Sequence, residues 1–333
     1  MSAPGGPTPG KVMQCITGGW AAAILGSAAR HGVFNALEGG GDRAEGVANK
    51  AGISLRGAQA VLDGLTGLGL ISYSKGRYQN SPDASAFLIK GKPAYLGGMA
   101  EVMTDALTDW AKLPGAVKTG RPAASNTADM ADNEFWHVLV PAIAALSFPV
   151  AQMAAERLGV ATAGSIGWLD VGGGSGVWSA VWLGANKQAK GFQLDWPVVN
   201  QIARGFVGDF GVADRFYTID GDFHKIDFGS AKYDFAIYGH IAHQETPADN
   251  VEIFRKFRRA IKLGGTLVVN DFILSDDRTG DPFAMLFASQ MLLATKGGFT
   301  WRESDYRQWL GEAGFASVDI VPTPTPSTLV FAR

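Results

Sequence analysis

Residues 168–179, "WLDVGGGSGVWS", form an apolar run that ends in an acid, passes into glycines and resumes as a second apolar segment. The pattern reads as a buried strand turning sharply into a helix. Glycine is needed where the backbone turns through positive φ and where a ligand comes closer than a Cβ permits. A turn of this kind is by itself ordinary strand-to-helix chemistry. Asp195 adds meaning, because it closes the next apolar run, "GFQLD", about twenty residues beyond Gly176, where nucleotide-binding α/β sheets carry the acid that meets ribose hydroxyls.

The glycine spacing bears on which nucleotide is bound. Gly172, Gly174 and Gly176 are followed by Val177, so the further glycine that lets a helix press against a pyrophosphate is missing. A dinucleotide is therefore disfavoured. Asp170, just ahead of the glycines, sits poorly beside phosphates but suits a ligand carrying an ammonium and a sulfonium, which is S-adenosylmethionine. After the third strand comes "DGDFHKIDF", residues 220–228. Asp222 there can accept from an adenine amino group and Phe223 can cover the ring, although Gly-Asp at a strand end is also common turn chemistry.

Working outward, short apolar runs alternate with helical segments from residue 165: "SIGWLDV", "GFQLD", "RFYTID", "YDFAIYG", "TLVVNDF", "SVDIV" and "STLVFA". Alternation of this kind predicts an α/β domain over 161–333 with a mostly parallel seven-stranded sheet. The last two runs are joined only by "PTPTP", too short for a crossover helix, so one antiparallel strand is expected at the end. Upstream, residues 11–98 read as helix, turn, helix and a hairpin at Lys75-Gly76, with Ser54 as an N-cap and Gly52 as a stop. This is a winged-helix order. Its would-be recognition helix carries Arg56 as the only cation, whereas phosphate contact calls for several, so DNA binding is not expected. Residues 99–160 read as further helices bridging the two halves.

Composition narrows the classes. The chain has 333 residues, 47% of them hydrophobic and 18% charged, with a net charge of −2. That describes a globular protein without general attraction to nucleic acid or anionic membrane. The apolar run at 141–155 is broken by Pro and Gln and reads as too short to span a bilayer. The N-terminus "MSAPGGPTPG" lacks the basic start and apolar core of a signal peptide, so the cytoplasm is expected. Cys15 is the single cysteine, leaving no disulfide and no Cys-based metal cluster.

Taken in order, these pieces resemble the class I S-adenosylmethionine-dependent methyltransferases. The whole chain, from about residue 15 onward, is similar to the small-molecule O-methyltransferases, the family of plant caffeic acid O-methyltransferases and bacterial polyketide O-methyltransferases of secondary metabolism. The matching motifs are "WAKLPGAVKTGRP", "LDVGGGSG", "LDWP", "GDF", the strand ending in "HIAH", "FRRAIKLGGTLVVND" and "GGFTWRESDYRQWLGEAGF". The resemblance implies a Rossmann-like sheet, S-adenosylmethionine as cofactor, and an N-terminal dimerisation domain that makes a homodimer. It implies methyl transfer to a hydroxyl of an aromatic or polyketide-like metabolite.

In "YDFAIYGHIAHQET", residues 233–246, the resemblance places His243 on the position of the general base, with His240 three residues before it at a variable position. Imidazole suits the task because its ordinary pKa of ~6.5 leaves it able to accept a proton near neutrality. Asp271, in "VVND", matches the first of two acids that flank the family's base; the second position aligns with Thr300. Two other departures are Gln244-Glu245, where the family has Asp-Trp, and Gly239, where plant members often have Lys. Zinc wants about four ligands, which two histidines without Cys or HExxH do not supply, so no metal is expected. His240 reads better as a structural residue. The family likeness puts the helix "DPFAMLFASQMLLATKGG", 281–298, over the substrate, with Phe287 and Met291 as contacts and Phe283 and Met285 beside them. His137 falls where the family covers the substrate, and Phe135, Trp136 and Phe148 are expected on the opposite wall. Other chemistries on the same cofactor (hydroxylation, decarboxylation, rearrangement, N- or C-methylation) and a metabolite-sensing winged-helix regulator are the competing readings.

Overall fold

The computed structural model describes residues 7–92, 94–124, 135–279 and 281–333. The chain runs through α1 (Gly10–Ile16), α2 (Gly18–Arg30), α3 (Val33–Ala36), α4 (Ala44–Ala51), α5 (Leu55–Gly67), β1 (Ile71–Ser74), β2 (Arg77–Asn80), α6 (Pro82–Phe87) and α7 (Gly97–Asp105). The winged-helix order is thus present as α4, α5 and the β1–β2 hairpin. Gly52, at φ 65°, closes α4, and the Ser54 hydroxyl opens α5 by accepting from the Gly57 N–H at 3.1 Å. The hairpin turn uses positive φ at both Lys75 (49°) and Gly76 (78°), the pair of left-handed residues that matches strand twist. Phe34, Val47, Leu62 and Leu65 are fully buried between these elements. Gly26 lets α2 lie against α7: a Cβ there would sit 1.9 Å from Thr104 Oγ1, which donates to the Ala22 carbonyl.

The chain continues through α8 (Leu107–Trp110), α9 (Leu113–Thr119) and α10 (Phe135–Arg157). Two compact units form, one from the described residues up to Thr108 plus Pro141–Ala145, the other from Asp109–Val140 and Leu146–Arg333. Leu139–Arg157 has the length and apolar composition of a membrane span, longer than the run read from the sequence. Val150, Ala151 and Ala154 on this helix are nevertheless fully buried, and the Ala151 carbonyl accepts from Trp182 Nε1 at 2.9 Å, so its apolar face has a protein partner.

The second unit carries β3 (Gly167–Val171), α11 (Val177–Ala185), β4 (Lys190–Asp195), α12 (Pro197–Asp209), β5 (Phe216–Asp220), β6 (Tyr233–Gly239), α13 (Pro247–Ala260), β7 (Ile261–Asp271), α14 (Pro282–Ala294), α15 (Glu303–Glu312), β8 (Val318–Pro322) and β9 (Thr328–Ala332). The sheet order is β5-β4-β3-β6-β7-β9-β8. Strands β3 to β7 are mutually parallel. The last strand, β9, is the antiparallel one, as the short "PTPTP" linker predicted. In space it lies inside the sheet, between β7 and β8, which leaves β8 at the edge. The chain winds from β3 to β5 in one direction and from β6 onward in the other, which creates a switch point beside β3. The carboxyl ends of β3 to β7, at Val171, Asp195, Asp220, Gly239 and Asp271, therefore face one edge.

Burial on both faces explains why these strands are almost continuously apolar. On one side Trp182 is fully buried, set edge-to-face against Trp168 (5.3 Å), Trp178 (6.0 Å) and Phe235 (5.8 Å). Such a residue has no room to be replaced by a smaller one without leaving a cavity. Trp182→Ala is expected to lower the unfolding free energy by ~3–5 kcal/mol, read as a reduced denaturation midpoint in urea.

Candidate active site

At the carboxyl end of β3 the glycine turn takes the left-handed backbone that only glycine adopts freely: φ is 67° at Gly172, 58° at Gly174 and 75° at Gly176. Side chains of β4 hold it. Asp195 Oδ2 accepts the Gly174 N–H at 3.0 Å and its Oδ1 accepts the Trp196 N–H at 2.7 Å. Gln193 Nε2 donates to the Gly174 carbonyl and to Asn200 Oδ1, both at 3.1 Å. Asn200 Nδ2 in turn donates to the carbonyls of Asp195 and Ile219 and to Asp220 Oδ1, which ties the ends of β4 and β5 together. Burial pushes Asp195 up to about 6, against the pull of the two N–H groups it accepts.

Asp170 is different. It is 1% exposed, and among the described residues neither of its oxygens has a hydrogen-bond partner. Burial, and then the neighbouring Asp195, push its carboxyl well above the usual range. The adjoining backbone leaves no space for side chains: a Cβ at Gly173 would lie 2.5 Å from Gln193 Oε1 and 2.8 Å from Asp170 Cγ. Beyond β5, Asp222 accepts the His224 N–H at 2.9 Å and pairs with Lys225 at 3.1 Å. Against the effect of burial, these donors hold it below the usual carboxylate range. Lys256 Nζ donates to the carbonyls of Phe223, His224 and Ile226 at 2.8, 2.6 and 3.1 Å, so one side chain from α13 shapes this loop.

At the ends of β6 and β7 the two histidines part ways. His240 takes a left-handed φ of 59°, its N–H donates to the Asn270 carbonyl at 2.7 Å, and Asn270 Nδ2 meets its Nε2 at 3.0 Å. Desolvation lowers it to about 4, against the attraction of Asp271, so it stays neutral at physiological pH. The chain then makes a short 3-10 turn over Ala242–Gln244, which brings His243 over Asp271. His243 Nδ1 lies 2.5 Å from Asp271 Oδ1, and the His243 N–H donates to Oδ2 at 2.9 Å. Asp271 also accepts from the Phe272 N–H at 2.8 Å and the Tyr306 hydroxyl at 2.9 Å. Burial alone would raise its pKa; the His243 ring and these N–H groups lower it below the usual range. Nδ1 is thereby the protonated nitrogen of His243, and Nε2 keeps a free lone pair.

A parallel sheet with a glycine turn after its first strand and a carboxylate-held imidazole after its fourth matches a known pair of domains. A sequence profile of the O-methyltransferase domain matches residues 151–316, and a profile of the O-methyltransferase dimerisation domain matches residues 13–90. The chain belongs to the O-methyltransferase family. It is 28% identical to 3-hydroxy-5-methyl-1-naphthoate 3-O-methyltransferase of Streptomyces sahachiroi, over 96% of this chain and 92% of the relative. It is also 28% identical to the tetracenomycin polyketide synthesis 8-O-methyl transferase of Streptomyces glaucescens, over 98% and 96%. The crystal structure of human N-acetylserotonin methyltransferase in complex with S-adenosylmethionine superposes with a TM-score of 0.85 at 21% identity, covering 100% of this chain and 99% of that one.

The cofactor of this methyltransferase is S-adenosylmethionine, and the residues present fit it. The buried carboxyl of Asp170, without a hydrogen-bond partner among the described residues, suits a cation such as the ammonium of an amino acid end, whose arrival would favour the ionised form. Asp195, at the edge of the turn, and Asp222 with Phe223 on the next loop lie in the order a ribose and an adenine require. Potential ligand atoms of His240, His243 and Asp271 lie within 4.8 Å of one another; these are three groups, and two of them already hydrogen-bond each other.

The methyltransferase gathers some of the expected substrate residues and leaves others apart. Phe287 stands edge-on to the His243 ring at 4.9 Å, and Phe272 joins it at 4.7 Å. Phe283 stacks on Phe287 at 5.8 Å, and Met291 is buried on the same helix, which stops at Ala294 rather than continuing to residue 298. Phe148 instead packs toward Phe210, just past the end of α12, at 6.1 Å. His137 is exposed on α10, and the side chain of Phe135 lies outside the described residues. Phe272, Gln193, Asn200, Lys256 and Tyr306 were missed in the sequence. Gln193 alone carried a signal there, as an amide inside an otherwise apolar strand.

The isolated charge of Asp170 has two opposite consequences. A carboxyl raised above its unfolded pKa of ~3.9 costs stability wherever it is ionised above that value, so at pH 7 Asp170→Asn removes a penalty from the ligand-free protein. The variant is expected to melt at a higher temperature without ligand, yet to bind S-adenosylmethionine roughly tenfold or more weakly, measured by thermal unfolding and calorimetry side by side.

Proposed function

We propose that this enzyme methylates a hydroxyl of a small aromatic or polyketide-like molecule, with His243 as the general base. The observation that carries the reading is the buried His243–Asp271 pair, whose Nδ1 contact leaves Nε2 as the proton acceptor. The aromatic faces of Phe272 and Phe287 beside the imidazole favour a flat, apolar substrate. The names of the two Streptomyces relatives, a naphthoate and a tetracenomycin methyltransferase, support the same class.

S-adenosylmethionine supplies an electrophilic methyl on a sulfonium. The chain's own work is to hold the hydroxyl in line and to remove one proton. His243 Nε2 takes the proton from the substrate hydroxyl as the oxygen becomes nucleophilic, and Nδ1–H remains donated to Asp271. Asp271 keeps its negative charge throughout and stabilises the imidazolium that forms. Asp170 would hold the cofactor's ammonium, Asp195 its ribose, and Asp222 with Phe223 its adenine. Phe287 and Met291 line the aromatic side of the substrate; His137 and Phe148 would join them only from other parts of the pocket wall.

We also propose that the enzyme is a homodimer. The dimerisation profile over 13–90 and the strongly exposed Val12, Met13, Ile16 and Trp20 on α1 and α2 support a buried role for that apolar face.

His243→Ala is expected to lower kcat ~100-fold or more in an assay of S-adenosylhomocysteine release over a panel of phenols. Its affinity for S-adenosylmethionine by calorimetry should stay unchanged. Turnover at the wild-type rate would remove His243 from the role of base.

A further inference from the structure

We propose that Tyr306 is a positioning residue for methyl transfer, acting through Asp271 on the proton affinity and orientation of the base; this rests on the reading of His243 given above. Asp271 is fully buried, and four donors occupy its two oxygens. Oδ1 faces His243 Nδ1 and the Phe272 N–H. Oδ2 faces the His243 N–H and the Tyr306 hydroxyl. Two of the four are backbone groups and one is the base itself. Among the described residues, Tyr306 is thus the one donor that a side chain outside the turn carrying His243 supplies.

The tyrosine is itself firmly placed. It is fully buried on α15, and its ring packs against Trp309 at 5.6 Å. Trp309 meets Trp301 edge-on at 5.3 Å, and Trp301 Nε1 donates to the carbonyl of Ala242, the residue before the base, at 3.2 Å. The C-terminal aromatic cluster therefore holds the His243–Asp271 pair from both sides, at the Ala242 carbonyl of the turn and at the Asp271 carboxylate at the end of β7. Thr300, at the position where a second acid was sought, does not serve this purpose: it is buried, and its hydroxyl has no partner among the described residues.

A donor on Oδ2 draws charge away from Oδ1. Removing it leaves a more basic carboxylate opposite Nδ1–H, which favours the imidazolium over the neutral ring. It also leaves Oδ2 with a single donor, so the carboxylate plane is less constrained. No proton leaves Tyr306 in the cycle: the substrate proton goes to His243 Nε2, and the tyrosine hydroxyl stays a donor.

The test is Tyr306→Phe, which keeps the ring packing and deletes only the hydroxyl. The pH dependence of kcat is measured with a phenol accepted by the wild type. The expected result is a fall in kcat of about tenfold, with the acid limb of the profile moved to higher pH by about one unit. KM for the phenol and affinity for S-adenosylmethionine should change little. A variant with wild-type kcat and limb overturns the inference, as does one that merely melts earlier or loses affinity while the limb stays in place. His243→Ala is assayed in parallel. If that variant retains turnover, the base reading fails and the Tyr306 role falls with it; if it is inactive while Tyr306→Phe behaves as wild type, only the Tyr306 inference is lost.

Discussion

A carboxylate with no access to water must either be fully hydrogen-bonded or remain a liability, and Asp271 at the end of β7 is the first kind. Its two oxygens receive the His243 ring, the His243 N–H, the Phe272 N–H and the Tyr306 hydroxyl. That degree of satisfaction keeps the group ionised in a low-dielectric setting and gives His243 a single tautomer. Much of the surrounding structure is organised to make it possible. The positive φ of His240 turns the chain out of β6, the following 3-10 turn lifts His243, and Gly298 lies so close that a Cβ there would sit 2.3 Å from the His243 carbonyl.

Asp170, at the end of β3 in the same sheet, is the second kind. It is as buried as Asp271 but has no donor among the described residues, and burial pushes its carboxyl well above the usual range. Between these extremes, Asp195 is pushed upward by burial yet partly compensated by two N–H groups. One sheet edge thus carries three carboxylates whose surroundings divide them into a holder of the His243 ring, an acid with no partner among the described residues and a brace for the glycine turn. The parallel arrangement of β3 to β7 is what brings them to the same edge, because only parallel strands end together.

The two histidines illustrate how little separation in sequence says about role. They are three residues apart, and their ring centroids lie 6.2 Å from each other. His240 spends Nε2 on Asn270, while His243 spends Nδ1 on Asp271. The departure from Asp-Trp to Gln244-Glu245 is also absorbed locally. Gln244 Nε2 donates to the His240 carbonyl at 3.1 Å, and Glu245 pairs with His224 of the loop after β5 at 3.3 Å. The altered residues therefore brace the turn that carries His243, and the His243–Asp271 pair is in place.

The sequence by itself determined the strands, their parallel direction, the reversal of the last one, the hairpin of the first unit and the glycine turn, but not the strand order, in which the reversed strand lies inside the sheet. These follow from local rules: apolar periodicity, glycine's freedom at positive φ, caps such as Ser54, and a linker too short for a helix. It also placed Asp170, Asp195 and Asp271 at strand ends and Asp222 and His243 just beyond them, because an acid or histidine that follows an apolar run is visible in one dimension. Tertiary structure alone decided which oxygen and which nitrogen each group spends. Tyr306 lies 35 residues from Asp271, and Trp301 reaches Ala242 across 59; neither contact has a periodicity to betray it. Phe148 turned toward Phe210 for the same reason: an aromatic residue on a helix shows that a face is apolar, but which neighbour covers that face depends on packing between elements far apart in the chain.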